Sequence, residues 1–146
     1  MRKIALGISA LSMLLVINAC KKTDNTTGNS NDKTVQNLSG SYNLTALTAS
    51  LAGLSINLYD SLSACEKDNI IQLNTDGSAH FIDAGVVCVP SEDSTGTWSL
   101  SKSGDSLTVA STPALIRSWD GKTLVLTNNE TVNGFSVLAT TTLVKK

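Results

Sequence analysis

The side chains able to do chemistry are few: one histidine, three cysteines and twelve carboxylates among 146 residues. A single histidine, His80, removes any multi-histidine metal site and leaves one imidazole base for a serine triad. Neither a Gly-x-Ser-x-Gly elbow nor a phosphate-cradling glycine loop occurs. On a predicted strand beside Asp76 and Asp83, His80 is expected at the surface or rim. Glu66, Asp68, Glu92 and Asp93 flank Cys65 and Cys88 in sequence, a set that would suit calcium or an acid pair. Solvation of loop carboxylates accounts for them more simply. Cys65 and Cys88 form no C-x-x-C motif, and two thiols do not complete a zinc site. Neither an enzyme nor a metal or cofactor is expected.

Cys20 has a different setting. Arg2 and Lys3 precede an apolar run, Ile4 to Cys20, that ends in Val16-Ile17-Asn18-Ala19-Cys20. A cationic start, about a dozen apolar residues and a small residue before the cleavage point are the parts of an export signal. The run is shorter than the ~20 residues that a membrane-spanning helix needs. The segment resembles the bacterial lipoprotein pattern, with Ile17 where leucine is commonest. That resemblance implies diacylation of the Cys20 sulfur, removal of residues 1–19 as a signal peptide and attachment to a membrane through Cys20. Lys21 stands where an aspartate often signals inner-membrane retention, so the resemblance favours the outer membrane of a cell envelope.

Residues 20–37 are expected to be lipid anchor and disordered linker. Between Lys21 and Asn37 the only apolar side chain is Val35, too little buried surface to offset chain entropy. A flexible tether of this length reaches roughly 20–25 Å on average. The rest, 38–146, fits one domain, expected to be a monomer. Loss of Arg2 and Lys3 moves the formal net charge from −1 to −3, and with no basic patch to neutralise phosphates, nucleic acid is not an expected partner. Lipid on Cys20 leaves Cys65 and Cys88 as an even pair in an oxidising setting, where a disulfide is expected.

Stepping along the domain, apolar residues recur with period two in short runs rich in Thr, Val, Leu and Ser. Eight strands are predicted: Gly40–Leu47, Asn69–Leu73, Ser78–Asp83, Thr95–Ser101, Ser106–Ala110, Leu115–Ser118, Thr123–Thr127 and Phe135–Val144. Asp76-Gly77, Ser103-Gly104-Asp105, Asp120-Gly121 and Asn133-Gly134 supply the positive φ of tight hairpins. Consecutive hairpins make an antiparallel meander, and closure into a barrel covers the apolar face and removes the edges. The fold expected is all-β, an eight-stranded up-and-down barrel, with a two-sheet sandwich as the alternative. Within Ala49–Leu62, Leu51, Leu54, Leu58 and Leu62 recur at three- and four-residue steps, which predicts a short helix or lid after the first strand.

Hairpin register bears on the cysteines. A two-residue turn at Asp76-Gly77 places Cys65 directly opposite Cys88, on the side of Ile71, Leu73, Ile82 and Val86. A four-residue Asn74–Gly77 loop makes them diagonal neighbours instead, still near the ~4 Å Cβ separation that a bridge requires.

Leu38-Ser39-Gly40-Ser41-Tyr42 opening the first strand, Asn74-Thr75-Asp76-Gly77, the Cys65 and Cys88 pair, and Gly96-Thr97-Trp98 together resemble the lipocalin-like domain of small bacterial envelope lipoproteins. The chain departs from that family's opening Gly-x-Trp by having Tyr42 in the Trp place. It is also short, with no obvious C-terminal helix after the last strand. The resemblance implies a lipocalin-like barrel that binds a small apolar or amphiphilic ligand. Tyr42, Phe81, Trp98 and Phe135 are the candidate ligand-lining residues, with packing in the core as the competing role and the favoured one for Trp98 and Phe135. Trp119, beside the Asp120-Gly121 turn, is the candidate surface contact for a protein or glycan partner. A filled-core barrel acting as an interaction module is the alternative function.

Overall fold

The computed structural model describes residues 29–132 and 134–146. A short helix α1 (Val35–Leu38) is followed by β1 (Gly40–Leu51), β2 (Leu54–Asn57), a 3-10 turn (Tyr59–Ser61), α2 (Ala64–Lys67), β3 (Ile70–Leu73) and β4 (Ser78–Ile82). Then come β5 (Ser94–Leu100), β6 (Ser106–Val109), β7 (Thr112–Trp119), β8 (Thr123–Val132) and β9 (Phe135–Lys145). Neighbouring strands pair antiparallel, and β1 with β9 closes the ring. The result is an eight-stranded antiparallel barrel of β1 and β3–β9, with β2 outside it as a ninth strand paired to β1.

Period-two alternation explains the core. Inward positions place Tyr42, Leu73, Trp98, Leu107, Leu124 and Leu143 in one buried cluster with Leu38. Two bulges adjust the wall, at Thr45 where β1 faces β9 and at Arg117 where β7 faces β8; such bulges bend a strand so that a sheet can close.

Three expectations about the chain's course are corrected. Most of Ala49–Leu62 is a hairpin, with only the 3-10 turn Tyr59–Ser61 helical: β1 continues to Leu51, turns at Ala52-Gly53 and returns as β2. Leu51 and Leu54 are cross-strand partners, and Leu54 and Ile56 alternate with Ser55 and Asn57, so the leucine spacing belongs to a hairpin. The linker expected to run to Asn37 gives way to defined structure by Asn29, while residues 20–28 lie outside the described residues. Thr34 caps α1 by accepting from the Asn37 amide, and Leu38 is fully buried.

The β3–β4 register is the third correction. Ile71 stands opposite Phe81, one residue away from the partner that either expected loop implies. A three-residue loop, Thr75-Asp76-Gly77, joins the strands, with Gly77 at φ 86° and the Asp76 carboxylate accepting from the Ser78 amide at 2.8 Å. Phe81 therefore faces inward with Ile71, in place of Ile82.

In an up-and-down barrel successive turns alternate between the two ends. One end holds the β3–β4, β5–β6 and β7–β8 turns, and residues 29–38 lie across it. The Trp119 indole donates to the Ser30 carbonyl at 3.1 Å, and the Lys145 ammonium donates to the Asn37 carbonyl at 2.9 Å. Lys33 also pairs with Asp105 at 3.7 Å. The other end holds the β1–β2, β6–β7 and β8–β9 hairpins and the long 83–93 loop. There β1, β8 and β9 rise past the shorter β3–β7, so that β2-β1-β9-β8 forms a tall wall above a low rim.

Candidate functional site

Inside the barrel lies an apolar cup of about 260 Å³. Ile71 and Phe81 contribute from β3 and β4, Leu107 and Val109 from β6, Leu126 from β8 and Thr141 from β9. Only Thr112 and Thr141 bring hydroxyls to an otherwise apolar lining. Ile71 and Phe81 also border a second hollow of about 260 Å³ that has Glu66, Asn69, Glu92 and Ser94 at its edge. Phe81 thus separates an apolar interior from a polar shoulder, the arrangement that holds an apolar body and orients one polar end. A third hollow of about 260 Å³ lies higher on the inner face of the tall wall, among Ala49, Leu51, Leu54, Ile56 and Val137.

The β6–β7 turn at the cup's mouth is Ala110-Ser111, with φ of 47° and 70°. Hairpins of this handedness normally use Asn-Gly, so no turn signal marks the site in the sequence.

Of the four candidate lining residues, Phe81 alone lines the cup. Tyr42 is fully buried toward the covered end, where its hydroxyl donates to the Leu38 carbonyl at 2.7 Å and burial pushes its pKa up to about 12. Trp98 is buried too, its indole donating to the Asn74 carbonyl at 2.7 Å. Phe135 is 61% exposed at the tip of the β8–β9 hairpin. Trp119, expected at the surface, is 8% exposed, packs at 6.4 Å from the Tyr42 ring and lies under the Lys145 ammonium. Ser30, from the segment expected to be a linker, accepts from its indole, so that segment joins β1 and β9 in covering a turn-proximal tryptophan.

Cys65 and Cys88 are joined, with Cα atoms 5.3 Å apart. The bridge does not cross strands: Cys65 sits on α2 and Cys88 in the 83–93 loop, so it fastens the crossing chain beside the mouth. Cys20 lies outside the described residues.

The carboxylates near the bridge organise backbone. Glu66 completes a capping box with Ser63, whose hydroxyl and amide lower its pKa. The Asp68 carboxylate accepts from the Val86 amide at 2.8 Å and Glu92 from the Asn69 side chain at 2.8 Å. Asp93 accepts from the Asp83 amide at 2.8 Å. Asp83, not singled out from sequence, accepts from the amides of Glu92 and Cys88, which lower its pKa in that order. His80 is exposed on the outer side of β4, opposite Gln72.

The cup residues missed from sequence, such as Val109, Leu126 and Thr141, are aliphatic or small. Their inward parity beside Leu107, Leu124 and Leu143 was the available signal. Among known proteins, no family model matches the chain and no curated protein matches it in sequence.

Proposed function

We propose that this protein is a non-enzymatic, membrane-anchored lipoprotein whose lipocalin-like barrel binds one small apolar or amphiphilic ligand in the cell envelope. The observation that carries this reading is the apolar cup, covered at one end by residues 29–38 and open beside the tall wall. Its volume is at the small end for a ligand pocket, so it takes an acyl chain or a compact ring, each buried CH₂ contributing about 0.8 kcal/mol. The polar shoulder at Glu66, Asn69 and Glu92 suits an amphiphile's head. Lipid on Cys20 holds the domain in the outer membrane. Residues 29–38, which follow the anchor in sequence, lie across the covered end, and this supports a mouth directed away from the anchor.

A second reading, a protein- or glycan-interaction module, draws on exposed apolar residues at the mouth end, among them Leu54, Val89 and Phe135. The discriminating experiment uses the full chain purified from labelled envelope membranes and placed in nanodiscs. Palmitate label present and lost in Cys20→Ala, with saturable binding of a fluorescent fatty acid, is expected. Thr141→Phe fills the cup and weakens binding at least about tenfold, the equivalent of two buried methylenes. Absence of saturable binding sinks the ligand reading in favour of the second, and retained label in Cys20→Ala sinks the anchor.

A further inference from the structure

We propose that the ligand held by the cup carries a cationic head, an ammonium at the end of an apolar body, and that anionic heads are selected against. This rests on the reading of the barrel as a binder of an apolar or amphiphilic ligand, and it names that ligand's polar end. The starting observation is how charge divides along the barrel. At the mouth end, residues 58–69 carry Asp60, Glu66 and Asp68, and residues 83–93 carry Asp83, Glu92 and Asp93. The β8–β9 hairpin adds Glu130, and Lys67 is the one cation in these segments. Its ammonium is engaged, donating to the Asp60 carbonyl at 3.3 Å over the Tyr59 ring. Lys33, Lys102, Lys122, Lys145 and Lys146 stand at the covered end, and Arg117 is exposed near it on β7. A mouth of one sign raises the local concentration of ligands of the other.

Two of the mouth carboxylates reach the cavity. Glu66 and Glu92 line the hollow that adjoins the cup across Ile71 and Phe81, and among the described residues no cation lines either space. Each gives one oxygen to a donor that fixes it. Glu66 Oε2 accepts from the Ser63 amide at 2.7 Å, and Glu92 Oε2 from the Asn69 side chain at 2.8 Å. Among the described residues nothing donates to the Oε1 of either. Asn69 keeps its own amide oxygen buried without a partner. Hydrogen bonds from Ser63 lower the Glu66 pKa, so this carboxylate is ionised at neutral pH. The shoulder is rich in acceptors and short of donors.

A head that suits this surface brings hydrogens and positive charge. An ammonium brings both, and hydrogen bonds between ionised partners are the strong ones. A carboxylate head brings neither and is set against like charges beside a low-dielectric interior. A bare metal ion fits less well, because among the described residues no three His, Cys, Asp or Glu side chains converge as a metal site. The apolar lining next to the shoulder selects instead a cation joined to an apolar body. A fatty acid enters the cup by its chain and gains nothing from the shoulder.

The test uses the full chain in nanodiscs of neutral lipid, with empty nanodiscs as the blank. Decylammonium, decanol and decanoate, alike in chain and different in head, each displace the fluorescent fatty acid at neutral pH. Decylammonium is expected to bind at least about tenfold tighter than decanoate, with decanol between them. Glu66→Gln combined with Glu92→Gln weakens decylammonium about tenfold and leaves decanol unchanged, since glutamine still accepts from Ser63 and Asn69 and preserves the fold. Asp105→Asn, the same charge change at the covered end, leaves the order of the three ligands intact. Equal affinity for the three heads, tightest binding of decanoate, or an order untouched by the double variant or equally lost in Asp105→Asn overturns the cationic head while the ligand reading stands. Absence of saturable binding by all three overturns the ligand reading and this assignment with it.

Discussion

The Trp119 indole nitrogen donates to the Ser30 carbonyl oxygen at 3.1 Å, joining residues 89 apart in sequence. This bond and the ring's packing on Tyr42 make residues 29–38 part of the barrel. Trp119→Phe, which keeps ring bulk and drops the donor, is expected to cost about 0.5–1.5 kcal/mol in urea unfolding. Trp119→Ala should cost about 3–5 kcal/mol. Equal stability of both variants and wild type would show the segment to be unattached.

Tyr42 reports the same region through pH. Burial raises its folded pKa to about 12, above the unfolded value of about 10. The neutral hydroxyl's contribution is complete below pH ~10 and is lost as pH rises toward 12. Tyrosinate absorbance should show one of the two tyrosines titrating late, together with unfolding. Tyr42→Phe removes that late step and costs about 1–2 kcal/mol at neutral pH.

Acid has the opposite sign. The folded pKa values of Asp83, Asp120, Asp76 and Glu66 are lowered, chiefly by backbone amides for the three aspartates and by the Ser63 hydroxyl for Glu66. Their contributions are complete above the unfolded values of about 4 and are lost as pH falls through the lower folded ones. Urea midpoints should be level from pH 7 to about 5 and decline below about 4. Asp83→Asn should shrink that decline, and a midpoint level down to pH 2 would contradict the assignment.

The Cys65–Cys88 bridge closes a loop with a sequence separation of 23. Chain entropy assigns it about 3 kcal/mol. The double variant Cys65→Ser, Cys88→Ser should lose about that amount, and thiol titration of denatured, unreduced Cys20→Ala should find no free thiol.

At the β6–β7 turn, Ser111 holds φ 70° without being glycine. Ser111→Gly relieves left-handed strain and is expected to raise stability by up to about 1 kcal/mol after the entropy cost of glycine. A lowered melting temperature would exclude the strain.

Alternation of Leu107 and Val109 with Ser106 and Thr108, and glycine turns such as Asp120-Gly121, are local signals that pointed to an eight-stranded antiparallel barrel, and the pairing of β1 with β9 decided it against a two-sheet sandwich. The cysteine pairing was legible as well, although helix and loop bring the sulfurs together and not strand register. At Asp76-Gly77 the pattern allowed loops of two or four residues and the chain takes three, because Asp76 and Gly77 build the turn with Thr75. Ala49–Leu62 misled because leucines at three- and four-residue steps also arise where a hairpin turns back. Aromatic residues misled most: Tyr42 and Trp119 have polar tips that find carbonyls in the covered end, as does Trp98, for which core packing was the favoured role, leaving Phe81 and aliphatic side chains to line the cup.

By itself, then, the sequence determined the eight barrel strands, their meander and the disulfide pair, but not β2, since period and turn chemistry act over a few residues. Only the tertiary structure decided which end is covered, which side chains line the cup and which edge stays open. Those outcomes depend on segments far apart in the chain meeting, as Ser30 meets Trp119.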